Sequence, residues 1–457
     1  MILAEPKYIQ NTNFRLLDNW SVQYLIESTF SFNQYYQLVR IGDFLTRSKT
    51  PIEVKDEERY KRVTIKINNG GIFLRDIEIG KNIGTKNQFL VKKGQFLLSK
   101  IDARNGAFGV VPQEVDGAII TGNFWTFDVD YSKINPHFLA LLTTTPEFIK
   151  FSENASNGTT NRHYLQEDLF LNVKIPLPTL EEQNQIVQAC NNRIIEAKRL
   201  EDEAKGLEDG IEEYLFEVLG IVKIAKHEQK SSFQITNFRS IERWAVDFIS
   251  KLITTKRFLD GKFNAVTLGE FIDFFQYGLS EKSTKENVGI PMLRMNNIYN
   301  SELTTENLKY ITIDNKTKEK YLLEKGDLLF NRTNSKELVG KTAVFDQDGE
   351  YVFASYIIRV KINPEKANAD YINMLFNSSL LQYQKDMVSR KILGQANINS
   401  KELQDFLFPL PELSIQEEIV GTIKDIKDKI KQLHVTSESN RRLAITEFES
   451  KIFIPCN

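Results

Sequence analysis

Cysteine is scarce in this sequence, and long apolar runs are missing from it. The chain of 457 residues has two cysteines, Cys190 and Cys456, which are too few for a disulfide framework. Such usage is typical of a reducing cytoplasm. No apolar run reaches the roughly 18 residues that a membrane-spanning helix needs, and residues 1–10 lack the basic and apolar segments of a signal peptide. We therefore expect a cytoplasmic protein with no spanning helix.

The residue patterns of common catalytic sites are missing as well. The four histidines have no zinc-like spacing, and no Gly-x-x-x-x-Gly-Lys-Ser/Thr phosphate loop occurs. Asn135-Pro136-His137-Phe138 is superficially similar to the Asn-Pro-Pro-Tyr signature of amino-methyltransferases, but its second proline and a preceding Gly-rich loop are missing. Glu53-Val54-Lys55 matches half of a nuclease motif, and we interpret it as a pair of surface charges. The sequence predicts no metal site, no cofactor in this chain and no catalytic activity.

What the sequence does contain is an internal repeat. Four motifs recur in the second half of the chain, at offsets in residue number of 224, 232, 228 and 233 respectively. They are Asn13-Phe14-Arg15 with Trp20 and Asn237-Phe238-Arg239 with Trp244, Gly94–Leu98 and Gly326–Phe330, Ile134-Asn135-Pro136 and Ile362-Asn363-Pro364, and Pro176-Leu177-Pro178 and Pro409-Leu410-Pro411. The small drift of the offset indicates two related halves whose loops differ in length. A period this long excludes a solenoid. We expect two domains related by pseudo-twofold symmetry, which would suit a target with two halves.

Charge is divided unevenly along the chain. Residues 179–220 carry a net charge of −7 and residues 412–453 a net charge of −1, which leaves +6 for the remainder of a chain whose total is −2. The remainder is therefore basic, as nucleic-acid binding requires. The two acidic segments fit spacers or docking surfaces for a protein partner.

Each half shows the same order of predicted elements. A short Trp-containing opening segment precedes a mixed region rich in Val, Ile, Phe and Thr, and a Pro-Leu-Pro stop leads into a long helix. The predicted strands are Phe96–Ser99, Ala118–Thr121, Trp125–Val129, Asp327–Phe330, Thr342–Phe345 and Tyr356–Ile362. Pro136 reads as the first residue of a helix capped by Asn135, and Pro364 after Asn363 is expected to repeat this start.

The helix after each Pro-Leu-Pro gives the clearest periodicity. Apolar residues recur on average every 3.5 residues from Cys190 to Val218, and a similar spacing runs from Ile419 to Leu433 and on towards Ile452. This period is typical of a coiled coil. The two helices have the same expected length of about 40 residues, or about 60 Å at 1.5 Å per residue. We predict a mixed α/β (α+β) fold in which two similar globular domains are joined by two long antiparallel helices.

These motifs together resemble the specificity subunit of type I restriction–modification systems. Pro176–Gln183, followed by Ile186 and Val187, is similar to the segment that opens the conserved helical regions of that family. The copy at Pro409–Gln416 departs from it, because Ser414 and Ile415 replace Glu181 and Glu182. Gly94–Gly109 and Gly326–Lys341 are similar to its target-recognition domains, so the resemblance covers essentially the whole chain.

The resemblance implies a non-catalytic subunit of a larger complex. Residues 1–178 and 231–411 would be the target-recognition domains, each reading one half of a bipartite asymmetric DNA site. Residues 179–230 and 412–457 would be the conserved helices, which fix the gap between the half-sites and dock two methyltransferase subunits, with up to two restriction motor–nuclease subunits added. S-adenosylmethionine, ATP and Mg would bind to those partners, which carry the methyltransferase and ATP-dependent endonuclease activities.

Polar and basic loop residues near these motifs are the candidates for DNA contact, because base edges and phosphates are bound by such side chains. In the first half they are Lys100, Arg104, Asn105, Thr159, Thr160, Asn161, Arg162 and His163. In the second half they are Arg294, Asn296, Asn297, Arg332, Asn334, Lys336, Arg390, Lys391, Gln395 and Asn397. Gln183 and Gln416 recur at the same place in both long helices. The resemblance suggests a contact with a methyltransferase for them, and a hydrogen bond at the helix start is the alternative.

Two other functions remain open from the sequence. The chain fits equally a specificity subunit of a type II-like system, in which one partner chain both methylates and cleaves DNA. A coiled-coil scaffold with two protein-binding heads is the alternative from a different class. The net charge of +6 outside the acidic segments disfavours the scaffold.

Overall fold

The computed structural model describes residues 32, 35–67, 70–154, 156–157, 164–222, 261–335, 338–388, 390–392 and 395–453. The chain divides into two compact units. Unit 1 comprises Met1–Glu201 with Val435–Asn457, and unit 2 comprises Asp202–His434. The opening segments with Trp20 and Trp244 lie outside the described residues.

The helices of the described residues include two that are far longer than the others. In chain order the helices are α1 (Pro136–Thr143), α2 (Pro146–Asn154), α3 (Glu167–Asn172), α4 (Leu180–Leu219), α5 (Asn315–Tyr321), α6 (Ala369–Asn377), α7 (Ser379–Val388), α8 (Ser400–Gln404) and α9 (Leu413–Ile452). The helices α4 and α9 have 40 residues each, as the periodicity predicted. None of the described helices is long and apolar enough to cross a membrane.

Unit 1 is built on small sheets. Its described strands are β1 (Leu38–Arg40), β2 (Leu45–Ser48), β3 (Thr50–Glu53), β4 (Arg59–Lys66), β5 (Gly71–Ile79), β6 (Asn87–Leu90), β7 (Phe96–Ser99), β8 (Phe108–Val110), β9 (Ile119–Ile120), β10 (Phe124–Val129), β11 (Ser156–Asn157), β12 (Tyr164–Leu165) and β13 (Lys174–Pro176). They form sheets in the orders β1-β13, β2-β10-β7-β8, β11-β12 and β3-β6-β9-β4-β5. All pairs of these described strands are antiparallel except β4 with β9.

Unit 2 repeats most of this plan. Its described strands are β14 (Ala265–Thr267), β15 (Ile272–Tyr277), β16 (Ile290–Leu293), β17 (Ile298–Tyr299), β18 (Glu302–Leu303), β19 (Lys309–Ile311), β20 (Leu328–Asn331), β21 (Thr333–Asn334), β22 (Thr342–Val344), β23 (Val352–Phe353), β24 (Ile357–Ile362), β25 (Arg390–Ile392), β26 (Gln395–Asn397) and β27 (Leu407–Pro409). The sheets β14-β27 and β15-β24-β20-β22 correspond to β1-β13 and β2-β10-β7-β8 of unit 1. The largest difference is that the five-stranded sheet of unit 1 is replaced by a three-stranded sheet, β19-β16-β23.

Aromatic residues fill the core of each unit. In unit 1 Phe96, Phe108 and Phe170 lie within 6.5 Å of one another, measured between ring centroids. In unit 2 the ring of Phe376 lies 5.4 Å from that of Phe330 and 5.0 Å from that of Phe408. Phe96 and Phe330 belong to the buried strands β7 and β20, so each repeat of the strand motif supplies an aromatic side chain to its own core.

The two long helices run antiparallel where they meet, as predicted. In unit 1 the Sγ of Cys190 is 3.6 Å from the carbonyl of Ala444, and Ser437 Oγ donates to the carbonyl of Ala197. In unit 2 Lys429 forms an ion pair of 3.0 Å with Glu203. Residues later in α4 thus contact residues earlier in α9, which is antiparallel pairing. The mixed α/β fold with two similar domains and two long paired helices is confirmed.

All six predicted strands are confirmed within one or two residues, as β7, β9, β10, β20, β22 and β24. The helix expected at Pro136 is also found, with the side chain of Asn135 accepting from the backbone N–H of His137. The expected repeat of this start at Pro364 is wrong. The helix α6 begins at Ala369, and its cap is Asn368, whose side chain accepts from the N–H groups of Asp370 and Tyr371.

Candidate nucleic-acid interface

Lys100 follows β7 and is fixed to its surroundings through its backbone. Its N–H donates to the carbonyl of Asn123 at 3.0 Å, and its carbonyl accepts from the N–H of Leu165 at 2.9 Å. Leu165 belongs to β12, so Lys100 lies at the base of the hairpin formed by β11 and β12. The Nζ atom of Lys100 is 5.4 Å from the ring centroid of Tyr164 in the same hairpin. An ammonium group at this distance is attracted by the face of the ring.

Arg104 and Asn105 lie on a single 3-10 turn, Ala103–Asn105, that follows Lys100. The turn ends at Gly106, which has a φ of 75°, a conformation that glycine adopts without strain. Ala103 is buried and anchors the turn, whereas Asn105 is exposed and Arg104 is half-buried. The turn therefore brings these two candidates to the surface in the stretch of chain next to Lys100.

The candidates Thr159, Thr160, Asn161, Arg162 and His163 lie outside the described residues. The strands that flank them are described. β11 and β12 pair antiparallel, with Asn157 opposite Tyr164. Because Tyr164 contacts Lys100, this strand pair lies at the Lys100 site.

Arg332 occupies in unit 2 the place that Lys100 occupies in unit 1. Its N–H donates to the carbonyl of Tyr356 at 2.9 Å, and its carbonyl accepts from the N–H of Ile398 at 3.0 Å. Tyr356 corresponds to Asn123 and Ile398 to Leu165, each at an offset of 233 in residue number, which is also the offset between the two Pro-Leu-Pro motifs. The guanidinium carbon of Arg332 is 4.7 Å from the ring centroid of Tyr277, and its Nη2 donates to Asn397 Oδ1 at 3.3 Å.

Of the candidates from Asn334 to Asn397, those that the structure describes lie on the strands β21, β25 and β26 near Arg332. Asn334 is half-buried in β21, which pairs with β26 so that Thr333 is opposite Asn397. Lys336 lies outside the described residues. For Arg390, Lys391 and Gln395 the structure describes the strand positions, with Arg390 opposite Asn397 and Lys391 opposite Ala396. This register makes Arg390 and Asn397 the counterparts of Asn157 and Tyr164, so the strand positions that flank the two predicted loops are equivalent.

Arg294, Asn296 and Asn297 lie at a 3-10 turn, Met295–Asn297, beside the Arg332 site. Arg294 and Asn296 line a cavity of about 410 Å³ together with Tyr356, the residue whose carbonyl accepts from Arg332. Asn296 is exposed. Arg294 Nη2 donates to the carbonyl of Asn307 at 2.9 Å, which directs the guanidinium along the loop.

Asn297 has a different role from the one expected of a base-contacting residue. Its side chain is 1% exposed. Its Oδ1 accepts from the N–H of Arg294, and its Nδ2 donates to the carbonyls of Thr304 and Glu306. A buried amide with these partners holds the loop together and presents no group to a ligand.

Gln183 and Gln416 are also structural in this arrangement. Both side chains are 0% exposed. Gln183 Oε1 accepts from the N–H of Asn135 at 2.8 Å, and its Nε2 donates to the carbonyls of Lys133 and Pro178. Gln416 makes the same set of bonds to Asn368, Lys366 and Pro411. The alternative, a hydrogen bond at the start of each long helix, is therefore present in both units, and the contact with a methyltransferase stays a prediction.

Tyrosines are the site residues that the sequence analysis missed. Tyr164, Tyr277 and Tyr356 are all at least 36% exposed, and two of them lie under the cations Lys100 and Arg332. Tyr164 directly follows the polar segment 157–163, so its position was a usable signal. Tyr277 is distant from Arg332 in the sequence, and only the pairing of β15 with β24 brings it into this sheet.

Residues 33–200 and 261–438 match one family model, described as the type I restriction modification DNA specificity domain. Among curated proteins, the chain is 22% identical over 295 residues to the type I restriction enzyme StySPI specificity subunit of Salmonella potsdam, covering 64% of this chain and 58% of that protein. It is 26% identical over 152 residues to the EcoKI specificity subunit of Escherichia coli K12, covering 33% of this chain and 32% of that protein. The chain thus spans about half of the length of these relatives, or less.

A solved chain supports the same fold. It comes from work on complex assembly and conformational transition of the type I R-M system, and it superposes with a TM-score of 0.58 at 19% identity, over 93% of this chain and 99% of that one. At this identity the likeness shows the fold alone. The two segments that match the family model cover more than half of the chain, and the protein therefore belongs to the type I restriction modification DNA specificity family, whose domain it contains twice.

Proposed function

We propose that this chain is the sequence-recognition subunit of a type I restriction–modification complex. Each domain would read one half of a bipartite, asymmetric DNA site. The observation that carries this proposal is that Asn157 and Tyr164 correspond to Arg390 and Asn397 in two equivalent strand pairs. The sequences between them, 158–163 and 391–396, have no residue in common at equivalent positions. Equivalent strand pairs that carry different loop sequences suit two half-sites of different sequence.

We further propose that the partners supply the catalysis. Two methyltransferase subunits would bind to the long helices, and up to two restriction motor–nuclease subunits would join them in the cytoplasm, where the chromosome is. S-adenosylmethionine, ATP and Mg would bind to those subunits and not to this chain. The acidic surface of α4, with a net charge of −7 over residues 179–220, supports a protein partner there because such a surface repels phosphates.

Selection of binding sites from a pool of random duplexes tests the proposal. The double variant Asn161→Ala, Arg162→Ala should lose base preference in one half-site, because it changes one loop only. The sequence preference of the other half-site should be unchanged. Loss of preference in both halves together would contradict the assignment of one domain to each half-site.

A matched variant in the other domain serves as the control. Gln395 is the counterpart of Arg162 in the second loop, at the offset that relates Tyr164 to Asn397. Gln395→Ala should therefore affect the opposite half-site. A purified complex that prefers no duplex over random DNA would favour the alternative of a protein scaffold.

A further inference from the structure

A basic residue is held in the same backbone position of both units, although the sequences of the neighbouring hairpins differ. Lys100 and Arg332 each follow an inner strand of a four-stranded sheet, β7 or β20. Each donates its N–H to the segment that precedes the adjacent strand. The carbonyl of each accepts from the end of the hairpin, at Leu165, or from the residue just after it, at Ile398. The two residues are thus structural equivalents.

The hairpin residue that contacts the cation also occupies equivalent positions. Tyr164 lies opposite Asn157 in the first hairpin, and Asn397 lies opposite Arg390 in the second. Tyr164 contacts Lys100 through its ring, and Asn397 accepts a hydrogen bond from Arg332. The position of the contact is therefore retained while its chemistry changes from a ring face to an amide oxygen.

An exposed tyrosine ring faces the cation in both units, but it comes from different elements. Tyr164 is in β12, whereas Tyr277 is at the end of β15. Tyr277 is fixed in place because its hydroxyl donates to Ser400 Oγ at 3.0 Å and accepts from the N–H of Ser400 at 2.9 Å. A ring supplied from two different strands indicates that the orientation of the cation is the retained property.

The sequences that belong to the two hairpins share no residue at equivalent positions. Residues 157–163 read Asn-Gly-Thr-Thr-Asn-Arg-His and residues 390–396 read Arg-Lys-Ile-Leu-Gly-Gln-Ala. If the loops read different bases, a contact that is common to both units has to be made to a part of the DNA that is the same in both half-sites. The shared component of any two DNA sequences is the sugar–phosphate backbone.

We propose that Lys100 and Arg332 are the sequence-independent phosphate anchors of the two half-sites, and that Tyr164 and Tyr277 position them. The proposal rests on the proposed DNA-binding function and adds a division of labour within each domain. The Nε of Arg332 is buried and has no hydrogen-bond partner in the part of the chain that the structure describes. This leaves the Tyr277 ring and Asn397 as the groups that orient the guanidinium.

Binding measured as a function of salt concentration tests the proposal. The full chain, assembled with its modification partner, would be titrated with its preferred duplex and with an unrelated duplex. Lys100→Ala and Arg332→Ala should each weaken both affinities by a similar factor, on the order of threefold to tenfold, and should reduce the slope of log K against log salt by about 1. The preferred bases should stay the same in both half-sites.

Variants that keep the charge or remove a remote charge are the controls. Lys100→Arg and Arg332→Lys should retain most of the affinity and of the salt slope. Lys174→Ala in unit 1 and Lys316→Ala in unit 2 remove exposed lysines from other surfaces and should change neither quantity. Tyr164→Ala should weaken binding in the parent chain and have no additional effect in Lys100→Ala, whereas Tyr164→Phe, which keeps the ring, should bind like the parent.

Two results would overturn the proposal. A change of preferred base in one half-site on replacing Lys100 or Arg332 would make that residue a base reader. Unchanged affinity and slope would show that it contacts no DNA. If the parent complex binds all duplexes equally, the proposed sequence recognition fails, while the loss of affinity in the two variants still decides whether they are anchors.

Discussion

At the scale of single residues, the most informative contacts are hydrogen bonds that occur twice. The sequence separation between Gln183 and Asn135 is the same as that between Gln416 and Asn368. In both units the glutamine ties the start of a long helix to the cap of a shorter one, α1 or α6. These bonds set the junction between each globular domain and its long helix.

Replacing Gln183 by Ala should lower the free energy of unfolding of the full chain. The change leaves the N–H of Asn135 and the carbonyl of Pro178 without partners in a buried place, at a cost on the order of 2 kcal/mol. Urea unfolding would measure it. Gln185→Ala, at an exposed position of the same helix turn, is the matched control and should be nearly neutral. A stable Gln183→Ala chain that failed to assemble with a methyltransferase would instead support the docking role.

Lys385 is a second residue with an unusual environment. It is 4% exposed in α7, and its Nζ donates to the carbonyl of Phe376 at 2.7 Å. Burial lowers its pKa from the ordinary value of 10.5 to about 8, with smaller influences from Asp386 and Lys341. Between these two pH values the unfolded chain therefore binds more protons than the folded chain.

The free energy of unfolding should accordingly rise as the pH increases from about 8 to about 10.5, because the folded state no longer holds a buried charge. A shift of this size corresponds to a contribution on the order of 3 kcal/mol. Urea unfolding of the parent and of Lys385→Met at pH 7.5 and 9.5 would show it as a difference that depends on pH. Lys316→Met, at an exposed position, should follow the parent. Parallel curves for parent and Lys385→Met would refute the assignment.

At the scale of elements, the sequence predicted what periodicity and capping chemistry determine locally. The 40-residue helices follow from their apolar repeat, and in the structure Thr179 and Glu182 cap the start of α4. The N–H of Thr179 donates to Glu182, and the N–H of Glu182 donates to the Thr179 hydroxyl. The Thr179 hydroxyl also donates to Glu182 Oε2. Mainly through this bond, and also through the bond from the Thr179 N–H, the pKa of the Glu182 carboxyl is held below its usual value.

The incorrect helix start at Pro364 has a definite physical cause. Ile362-Asn363-Pro364 matches Ile134-Asn135-Pro136 in sequence at an offset of 228. The hydrogen bonds of Gln183 and Gln416 instead pair Asn135 with Asn368, at an offset of 233. Asn363 instead stabilises a turn, with its Oδ1 accepting from the N–H of Glu365, and its Nδ2 donates to Asp273 Oδ1. A short motif cannot distinguish a turn from a helix start without the tertiary contact that fixes its register.

The site was predictable only in part for the same reason. Lys100 and Arg332 could be chosen because they are basic residues beside a repeated strand. The burial of Asn297, Gln183 and Gln416 depends on contacts between distant segments, which local pattern does not reveal. The difference between the five-stranded and three-stranded sheets lies where the two halves share no sequence motif.

A prediction for the long helices concerns the distance between the half-sites. One heptad inserted after Ala204 and one before Ile430, next to the Glu203–Lys429 ion pair, would lengthen both helices in register. Seven residues add about 10 Å, which corresponds to about three base pairs at about 3.4 Å each. Selection from random duplexes should return the same half-sites with a wider gap, or no binding. An unchanged gap would contradict the proposal that the helices determine it.

At the scale of the whole molecule, the chain is two copies of one domain with different loops. The two units have the same order of strands in their four-stranded sheets. They also share the backbone hydrogen bonds of Lys100 and Arg332 and the side-chain hydrogen bonds of Gln183 and Gln416. The hairpin sequences 157–163 and 390–396 differ at every position. This combination of equal frames and unequal loops is what the reading of one asymmetric bipartite sequence requires.

The most direct test of that account is long-read methylation sequencing of the host genome with and without this gene. The account predicts the loss of one methylated motif that has two different half-sites separated by a fixed gap. A methylome that does not change in a host whose partner methyltransferase is expressed would contradict it.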